Sequence, residues 1–321
     1  MFGEPAHGGG VEAAARAWGC APAAVLDLST GLHPEGPPPW LGDWLRANAH
    51  LAGRYADVDG EPARGALAEA FGVAPDCVLI GAGAQAFIEV IVQAMGWRSL
   101  AIETPCYTEP LRCAARVGCA LRPYRRGERA SLAEAHWVTS PHNPDGARRA
   151  PPVGPGVLDE SYMPFAERCR VGVLPDVIRI GSLTKLFCVP GLRLGYAVAE
   201  PGLIEILRRQ LPPWGAPTPA LHLLPRLLPE AAMRDAQWRK AGVRLRRLLR
   251  EMDWTCRDGV AGFVLARPPG ATPDFASARI LVRRFPEWPE LAGWLRLAPP
   301  GDAHGWRRLR AVLCAATQRV A

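Results

Sequence analysis

Lys185 carries the first chemistry that stands out in this chain. Of the 38 lysines and arginines among its 321 residues, only Lys185 and Lys240 are lysines. A guanidinium stays protonated, whereas a buried lysine amine can lose its proton and attack a carbonyl group. Lys185 lies in the apolar run 182–187, and Lys240 lies in a basic, helical-looking run. The pattern favours a reactive amine at Lys185; the alternative is that both lysines are accidents of an arginine-rich composition.

Other groups with possible ligand roles lie directly after apolar, strand-forming runs. In the glycine-rich stretch 80–85, free backbone N–H groups at the start of a helix could bind a phosphate, although such turns are common without a ligand. Asn143 lies in the stretch 140–146, which could be only a turn. Asp159 ends a further apolar run and Tyr162 follows it, although an acid at such a place is often structural.

A hydroxyl and a guanidinium bracket the lysine. Ser182 precedes Lys185 by three positions and Arg193 follows it by eight, so both could hold a phosphate next to the amine. Taken in this order, the groups meet the needs of one cofactor, which has a phosphate, a basic ring nitrogen, a phenolic oxygen and an aldehyde. That cofactor is pyridoxal 5′-phosphate (PLP).

The elements that must position these groups alternate between strands and helices. Such alternation predicts a mainly parallel sheet with helices on both faces. Ligands of such sheets bind at the carboxyl ends of the strands, where the candidate residues fall. The strand candidates are 77–80, 99–102, 137–139, 157–158, 177–180 and 196–199.

Composition shifts predict three parts of the chain. Residues 1–40 read as an arm rich in glycine and proline, with one short helix around 11–18. A large cofactor-binding domain is expected over 41–210. The proline-rich stretch 211–219 opens a smaller C-terminal α/β domain over 211–321. Within that domain we expect helices over 220–233, 234–252 and 302–318, and strands over 262–265, 280–283 and 294–298.

Composition also limits the class of protein. With 49% hydrophobic and 21% charged residues, no long apolar run and no N-terminal signal pattern, we expect a cytoplasmic globular protein without a membrane partner. Nine scattered cysteines without a C-x-x-C pair predict neither disulfides nor a metal site. The net charge of +7 comes without a nucleic-acid-binding motif, and an anionic small substrate explains it equally well.

The Asp159-x-x-Tyr162 pair and the Ser182-x-x-Lys185 motif with Arg193 eight residues later resemble the fold-type I PLP enzymes. The similarity is to the subgroup that holds histidinol-phosphate aminotransferase and threonine-phosphate decarboxylase, and it runs over most of the chain. It implies the aminotransferase fold type I, with a large, mainly parallel sheet domain and a smaller C-terminal α/β domain.

The resemblance also implies roles for the residues that match. Lys185 would form the Schiff base with PLP, and Asp159 would pair with the protonated ring nitrogen. The remaining cofactor contacts fall into four groups: Asn143 and Tyr162 for the phenolic oxygen; Ser182, Arg193 and the backbone of Ala84 and Gln85 for the phosphate; Tyr107 stacked on the ring; and Tyr55 reaching the phosphate in the neighbouring subunit. The last match implies a homodimer with shared sites.

The N-terminal stretch narrows the resemblance. Residues 6–9 and 26–34, together with 211–214, are similar to the threonine-phosphate decarboxylases of cobalamin biosynthesis. The implied reaction is decarboxylation of L-threonine O-3-phosphate to (R)-1-aminopropan-2-ol phosphate, a precursor of the cobalamin nucleotide loop. Lys185 would return a proton to the substrate as a general acid.

Three residues are candidates for binding the substrate itself. Arg296 stands where the family holds the substrate carboxylate, and a bidentate guanidinium suits that task. As an alternative, an arginine within a strand could extend its charged end to the surface. His7 and Arg283 are candidates for the substrate phosphate.

One stretch of the chain departs from the family pattern. Asp159 follows Gly146 by only thirteen positions, and Pro151, Pro152 and Pro155 between them exclude a regular helix. Relatives insert a helix there, so the crossover between the two strands is expected to lack that cover.

Two other functions remain open at this point. The first is transamination of a phosphorylated or other amino acid, histidinol phosphate included. The second is a catalytically weak PLP-binding partner protein of the cobalamin pathway, which the shortened crossover suggests.

Overall fold

A seven-stranded sheet forms the core of the larger of two units in this computed structural model, which describes residues 8–317. The large unit holds 37–143 and 148–235. The small unit holds 8–36, Pro144–Ala147 and 236–317 of the described residues. The boundaries of these units differ from those of the predicted domains. Residues 8–36 belong to the same unit as the C-terminal part of the chain, and residues 211–235 belong to the unit of the large sheet. The domain boundaries themselves stay a prediction.

Twelve strands occur in the described part of the chain. They are β1 (Leu26–Asp27), β2 (Val78–Ala82), β3 (Ser99–Thr104), β4 (Ala120–Arg125), β5 (Ala135–Thr139), β6 (Gly156–Asp159), β7 (Val177–Ser182), β8 (Leu194–Val198), β9 (Thr255–Cys256), β10 (Val264–Arg267), β11 (Ile280–Leu281) and β12 (Leu295–Leu297). The large sheet has the order β2-β8-β7-β6-β5-β3-β4, and β8 runs antiparallel to both of its neighbours. The other four pairings are parallel, which confirms the predicted, mainly parallel sheet.

Ten α-helices occur between residues 8 and 317. They are α1 (Val11–Ala17), α2 (Leu41–Ala47), α3 (Ala63–Phe71), α4 (Ala84–Met95), α5 (Glu109–Arg116), α6 (Phe165–Arg168), α7 (Pro201–Arg208), α8 (Thr218–Leu227), α9 (Ala231–Glu251) and α10 (Ala303–Thr317). In α4 the buried residues Ala84, Phe87, Ile88, Ile91 and Val92 recur at the spacing of one helix face. This apolar stripe packs α4 on the large sheet, where it contacts β2, β7 and β8.

The small unit has its own hydrophobic core. Its largest sheet is the antiparallel set β12-β10-β9, and β1 pairs in parallel with β11. Side chains from α9, α10 and these strands are buried together, among them Leu245, Leu249, Leu297, Leu309 and Leu313. The segment predicted to be an extended arm thus contributes a strand to this unit.

Further details of the secondary structure differ from the predictions. The edge strand β4 was not predicted, because most of its side chains are exposed and its sequence shows no apolar alternation. The predicted helix break after Met233 was wrong. The chain turns at Leu228–Glu230 instead, where Pro229 cannot donate a backbone hydrogen bond, and α9 then runs through Met233 without interruption.

The crossover between β5 and β6 contains no helix, as predicted. Residues 140–155 form turns and extended segments only. Arg149 ties this stretch to the sheet, because its backbone N–H donates to Ser140 Oγ (3.0 Å) and its guanidinium binds both carboxylate oxygens of Glu103 (2.6 Å each). An ion pair and a side-chain cap therefore hold the segment where helical packing is absent.

Helices that could cross a lipid bilayer are not found in the part of the chain that the structure describes.

Candidate active site

The carboxyl ends of β5, β6 and β7 bring three of the predicted residues to one edge of the large sheet. Thr139 is paired with Asp159, and Asp159 with Ile180, so the segments after these strands leave the sheet side by side. Asp159 is 6% exposed, and its Oδ1 accepts a hydrogen bond from the backbone N–H of Ser161 (3.0 Å). The segments that carry Asn143 and Lys185 therefore follow the strands on the two sides of β6, which ends in this buried carboxylate.

Lys185 lies against the aromatic ring of Tyr162. Its Nζ is 4.8 Å from the ring centroid, a distance at which an ammonium is attracted to the ring face. Tyr162 is buried, and Lys185 is half-buried. The structure thus brings together the predicted nucleophile and the predicted phenol, which are 23 positions apart in the sequence.

The residues predicted to bind the cofactor phosphate lie where β2, β7 and β8 meet. Gly83 has φ +79°, a left-handed conformation that favours glycine, and α4 begins directly after it with unbonded N–H groups in its first turn. Arg193 donates from Nη2 to the carbonyl of Ala82 (3.3 Å). Ser182 is paired with Gly195 across β7 and β8, and its Oγ is 2.6 Å from Thr184 Oγ1.

Gly195 permits this convergence because it has no side chain. A Cβ at this position would lie 2.2 Å from the carbonyl carbon of Gly83 and 2.4 Å from the amide nitrogen of Ala84. We expect Gly195→Ala to push the loop away and to lower the free energy of unfolding by about 1–3 kcal/mol, as measured in urea. Gly191→Ala is the matched control, because a Cβ there meets no atom within 4 Å. Equal stability of the two variants would contradict the expectation.

Tyr107 and Gln85 are joined by a hydrogen bond. Tyr107 Oη donates to Gln85 Oε1 (3.2 Å), and Gln85 Nε2 donates to Glu89 Oε1 (2.6 Å). Burial raises the pKa of Tyr107, and the charges of Glu109 and then Asp159 raise it further. Tyr107 therefore stays protonated at neutral pH, and its hydroxyl feels the charge of Asp159.

Tyr55 lies at the surface of the large unit, apart from this group. Its side chain is 82% exposed and packs against Trp214, with 4.9 Å between the ring centroids and 40° between the ring planes. Trp214 lines a cavity of about 450 Å³ that also contacts Val58, Gly81 and Ala82. An exposed aromatic pair beside such a cavity is a surface feature that another chain could cover.

The candidates for substrate binding lie in the small unit or outside the described residues. Arg296 is buried, and its Nη2 donates to the carbonyl of Ser29 (2.7 Å). Arg283 pairs with Arg296 through an antiparallel bridge, and its guanidinium forms an ion pair with Glu287. The backbones of the two arginines are thus neighbours. His7 lies outside the described residues.

Sequence reasoning missed a buried charge cluster beneath the carboxyl edge. It consists of Glu160, Arg168, Arg179 and Tyr196, all 0% exposed. Arg179 Nη2 binds both oxygens of Glu160 (2.9 and 3.1 Å), and Tyr196 Oη donates to Glu160. The one signal in the sequence was Arg179, a charge in the middle of the otherwise apolar run 177–180.

Within the described residues of the large unit, one group of side chains has the geometry of a metal site. The ligand atoms of Glu89, Glu109 and Cys113 lie within 4.8 Å of one another. Glu89, however, already pairs with Arg116, and burial followed by the charge of Glu89 raises the pKa of the Cys113 thiol to about 12. Because the thiol is protonated at neutral pH and the carboxylate is neutralised, we propose no metal site there.

These residues fit the cofactor that the sequence predicted. A buried carboxylate, an amine and a phenol meet at one edge of the sheet, and a guanidinium, a hydroxyl and free N–H groups meet beside them. This is the donor set that a pyridinium nitrogen, an aldehyde, a phenolic oxygen and a phosphate require.

Comparison with protein families and curated proteins gives consistent matches. A family model described as aminotransferase class I and II matches residues 155–309. Threonine-phosphate decarboxylase from Salmonella typhimurium is 28% identical over 96% of this chain and 95% of its own. The enzyme of that name from Sinorhizobium is 30% identical over 94% and 96%. Histidinol-phosphate aminotransferase 1 from Nostoc is 25% identical over 90% of each chain.

Solved structures of the same kinds match the fold. L-threonine-O-3-phosphate decarboxylase from Porphyromonas gingivalis has a TM-score of 0.78 at 20% identity, covering 92% of this chain and 100% of its own. Histidinol-phosphate aminotransferase from Sinorhizobium meliloti, solved in complex with pyridoxal-5′-phosphate, has a TM-score of 0.82 at 19% identity, covering 100% and 99%. The predicted fold class is confirmed.

Proposed function

This chain belongs to the aminotransferase class I and II family of PLP-dependent enzymes, and from that premise we propose that it decarboxylates L-threonine O-3-phosphate. The product would be (R)-1-aminopropan-2-ol phosphate, made in the cytoplasm for cobalamin biosynthesis. The observation that carries this proposal is the near-complete alignment, over 94–96% of the chain, with relatives named threonine-phosphate decarboxylase.

Lys185 is the proposed catalytic residue. When bound, PLP supplies an electron sink for the electron pair released as the bond between the α-carbon and the carboxylate of the substrate breaks. Lys185 Nζ would hold the cofactor covalently and would deliver a proton to the α-carbon of the substrate as a general acid. The ring of Tyr162, 4.8 Å from Nζ, restricts the positions that the amine can take.

Asp159 and its neighbours orient the cofactor ring in this proposal. The Asp159 carboxylate is fixed by the N–H of Ser161 and keeps a proton on the ring nitrogen. Asn143 and the Tyr162 hydroxyl bind the phenolic oxygen. The Tyr107 ring covers one face and limits the access of water.

The phosphate of the cofactor would be held at the junction of β2, β7 and β8. Arg193 supplies the positive charge, and Ser182 supplies a hydroxyl that is oriented by its hydrogen bond to Thr184. The N–H groups of Ala84 and Gln85 lie in the first turn of α4, where the helix dipole favours an anion.

Arg296 would hold the carboxylate of the substrate. Its bond to the Ser29 carbonyl uses one nitrogen and orients the guanidinium plane. His7 and Arg283 remain the proposed contacts of the substrate phosphate. To bind it, Arg283 would have to break its ion pair with Glu287.

Transamination is the second candidate function. The Nostoc relative and the Sinorhizobium meliloti structure, both named histidinol-phosphate aminotransferase, favour it. An aminotransferase would need an oxo acid to accept the amino group, whereas a decarboxylase would not.

The test is incubation of the purified protein with PLP and L-threonine O-3-phosphate in the absence of any oxo acid. The proposal expects one CO2 released for each aminopropanol phosphate formed. No CO2, but turnover once 2-oxoglutarate is present with this substrate or with histidinol phosphate, would assign the protein to the aminotransferases. Binding of PLP without turnover in either assay would favour the weak partner protein.

We also propose a homodimer in which Tyr55 of one subunit completes the site of the other. Mixing Tyr55→Ala with Lys185→Ala subunits is then expected to restore activity, because each heterodimer contains one intact site. With free exchange, about half of the dimers are mixed and carry one of two sites, so about a quarter of the wild-type rate should return. Mixing Lys185→Ala with the double variant should restore nothing. If Tyr55 served its own subunit, neither mixture would recover.

A further inference from the structure

Arg168 connects two segments of the large unit through three main-chain carbonyls. Its Nε donates to Met163 O (2.7 Å) and its Nη2 donates to Ser161 O (3.2 Å), both in the turn that follows β6. Its Nη1 donates to Ser182 O (3.1 Å), at the end of β7. The first two carbonyls flank the proposed ring contact, and the third lies three residues before the proposed nucleophile.

The hydrogen bonds of Arg168 begin where the sheet no longer pairs the segments that follow β6 and β7. The parallel pairing of β6 with β7 ends at Asp159 and Ile180, and β7 continues only in its pairing with β8. Beyond that point Tyr162 and Lys185 extend from separate strands. The distance between the ring and the amine therefore depends on contacts outside the ladder, and Arg168 makes three of them.

Arg168 is itself fixed by the buried charge cluster. Its carbonyl accepts a hydrogen bond from Arg179 Nη2 (2.8 Å), and its Nη1 also donates to Tyr196 Oη (3.3 Å). Glu160 forms an ion pair with Arg179. Arg168 is surrounded by carbonyl dipoles and also interacts with the buried carboxylates of Glu160 and Asp235. The guanidinium donates from three separate nitrogens in fixed directions, whereas the three donors of a lysine ammonium share one nitrogen and cannot span the same acceptors.

We propose that Arg168 is a positioning residue of the PLP site, which sets the Tyr162 ring against the Lys185 amine without touching the cofactor. The inference rests on the roles proposed above for those two residues. It predicts that loosening Arg168 changes how PLP is held, in addition to any loss of stability.

The test compares Arg168→Lys with Arg308→Lys. Arg308 also binds three carbonyls, those of Ala24, Ala278 and Arg279, but it belongs to the small unit. Both variants should lower the melting temperature of the PLP-free protein. Only Arg168→Lys should weaken PLP binding, by about tenfold, and shift the pH at which the absorbance of the bound cofactor changes.

The proposal would be overturned if Arg168→Lys and Arg308→Lys lowered the melting temperature equally, while PLP affinity and the absorbance titration of Arg168→Lys stayed unchanged.

Tyr196→Phe decides the question if Arg168→Lys does not fold, since it removes one partner of Arg168 and keeps the shape of the ring. A two- to threefold weaker affinity (roughly, from one lost hydrogen bond) with a shifted titration supports the role of Arg168, and wild-type behaviour refutes it. The same PLP-binding measurements on the unaltered protein and on Lys185→Ala distinguish failure of this proposal from failure of the proposed function. If the unaltered protein did not bind PLP, the proposed function itself would be refuted.

Discussion

Lys185→Ala is expected to reduce the rate of the proposed CO2 release by at least about 10⁴-fold, because the Lys185 amine would both bind PLP covalently and return the proton. Lys240, the second lysine of the chain, supplies a matched control, since it lies in the basic run of α9. Lys240→Ala should keep the wild-type rate. Comparison of single-turnover rates for the three proteins measures the effect on chemistry alone.

A second readout locates the bond directly. Borohydride reduction fixes PLP to its lysine, and peptide mass spectrometry then identifies the labelled residue. Label at Lys185 in the wild type and in Lys240→Ala is expected, with none in Lys185→Ala. Label at Lys240, or full activity of Lys185→Ala, would remove Lys185 from the mechanism.

The sequence allowed the central strands to be predicted because their residues are buried on both faces. The runs that became β2, β3 and β5 to β8 are mainly apolar, and a glycine or proline lies within a few residues of at least one end of each. The edge strand β4 gives no such signal, since Arg122, Pro123 and Arg125 can face solvent there. Its place in the sheet is decided by pairing with β3, a long-range contact that local sequence does not report.

The sequence allowed more of the candidate site to be predicted than of the fold around it. A parallel sheet collects its functional residues at one edge, so Asp159, Tyr162 and Lys185 could be expected together from the strand ends alone. The exposed Tyr55 shows where this reasoning stops. Nothing in a single chain determines which surface residue belongs to a neighbour's site.

The buried charges could not be predicted for a different reason. Glu160 and Arg179 are 19 positions apart, and charged side chains are normally expected at the surface. Their burial is tolerated only because each finds its partner in the folded state. That pairing appears only when β6 and β7 are placed side by side.

Asp159→Asn is expected to lower kcat by about 10³-fold while leaving the protein as stable as the wild type, a loss of about 4 kcal/mol in transition-state stabilisation. The amide oxygen of asparagine can still accept the hydrogen bond from Ser161 N–H, so the turn keeps its geometry. The negative charge that keeps a proton on the ring nitrogen is lost, and the electron sink becomes weaker. Rates under substrate saturation, measured beside urea unfolding curves, test both halves of the expectation.

The adjacent carboxylate provides the control, because it should respond in the opposite sense. Glu160 faces the buried guanidinium of Arg179, so Glu160→Gln leaves that guanidinium without its paired carboxylate and should cost about 3–5 kcal/mol of folding stability. Where Glu160→Gln still folds, its kcat should fall far less than that of Asp159→Asn. If Asp159→Asn instead lost stability and kept its rate, Asp159 would be a structural acid like its neighbour, and the ring nitrogen would need another partner.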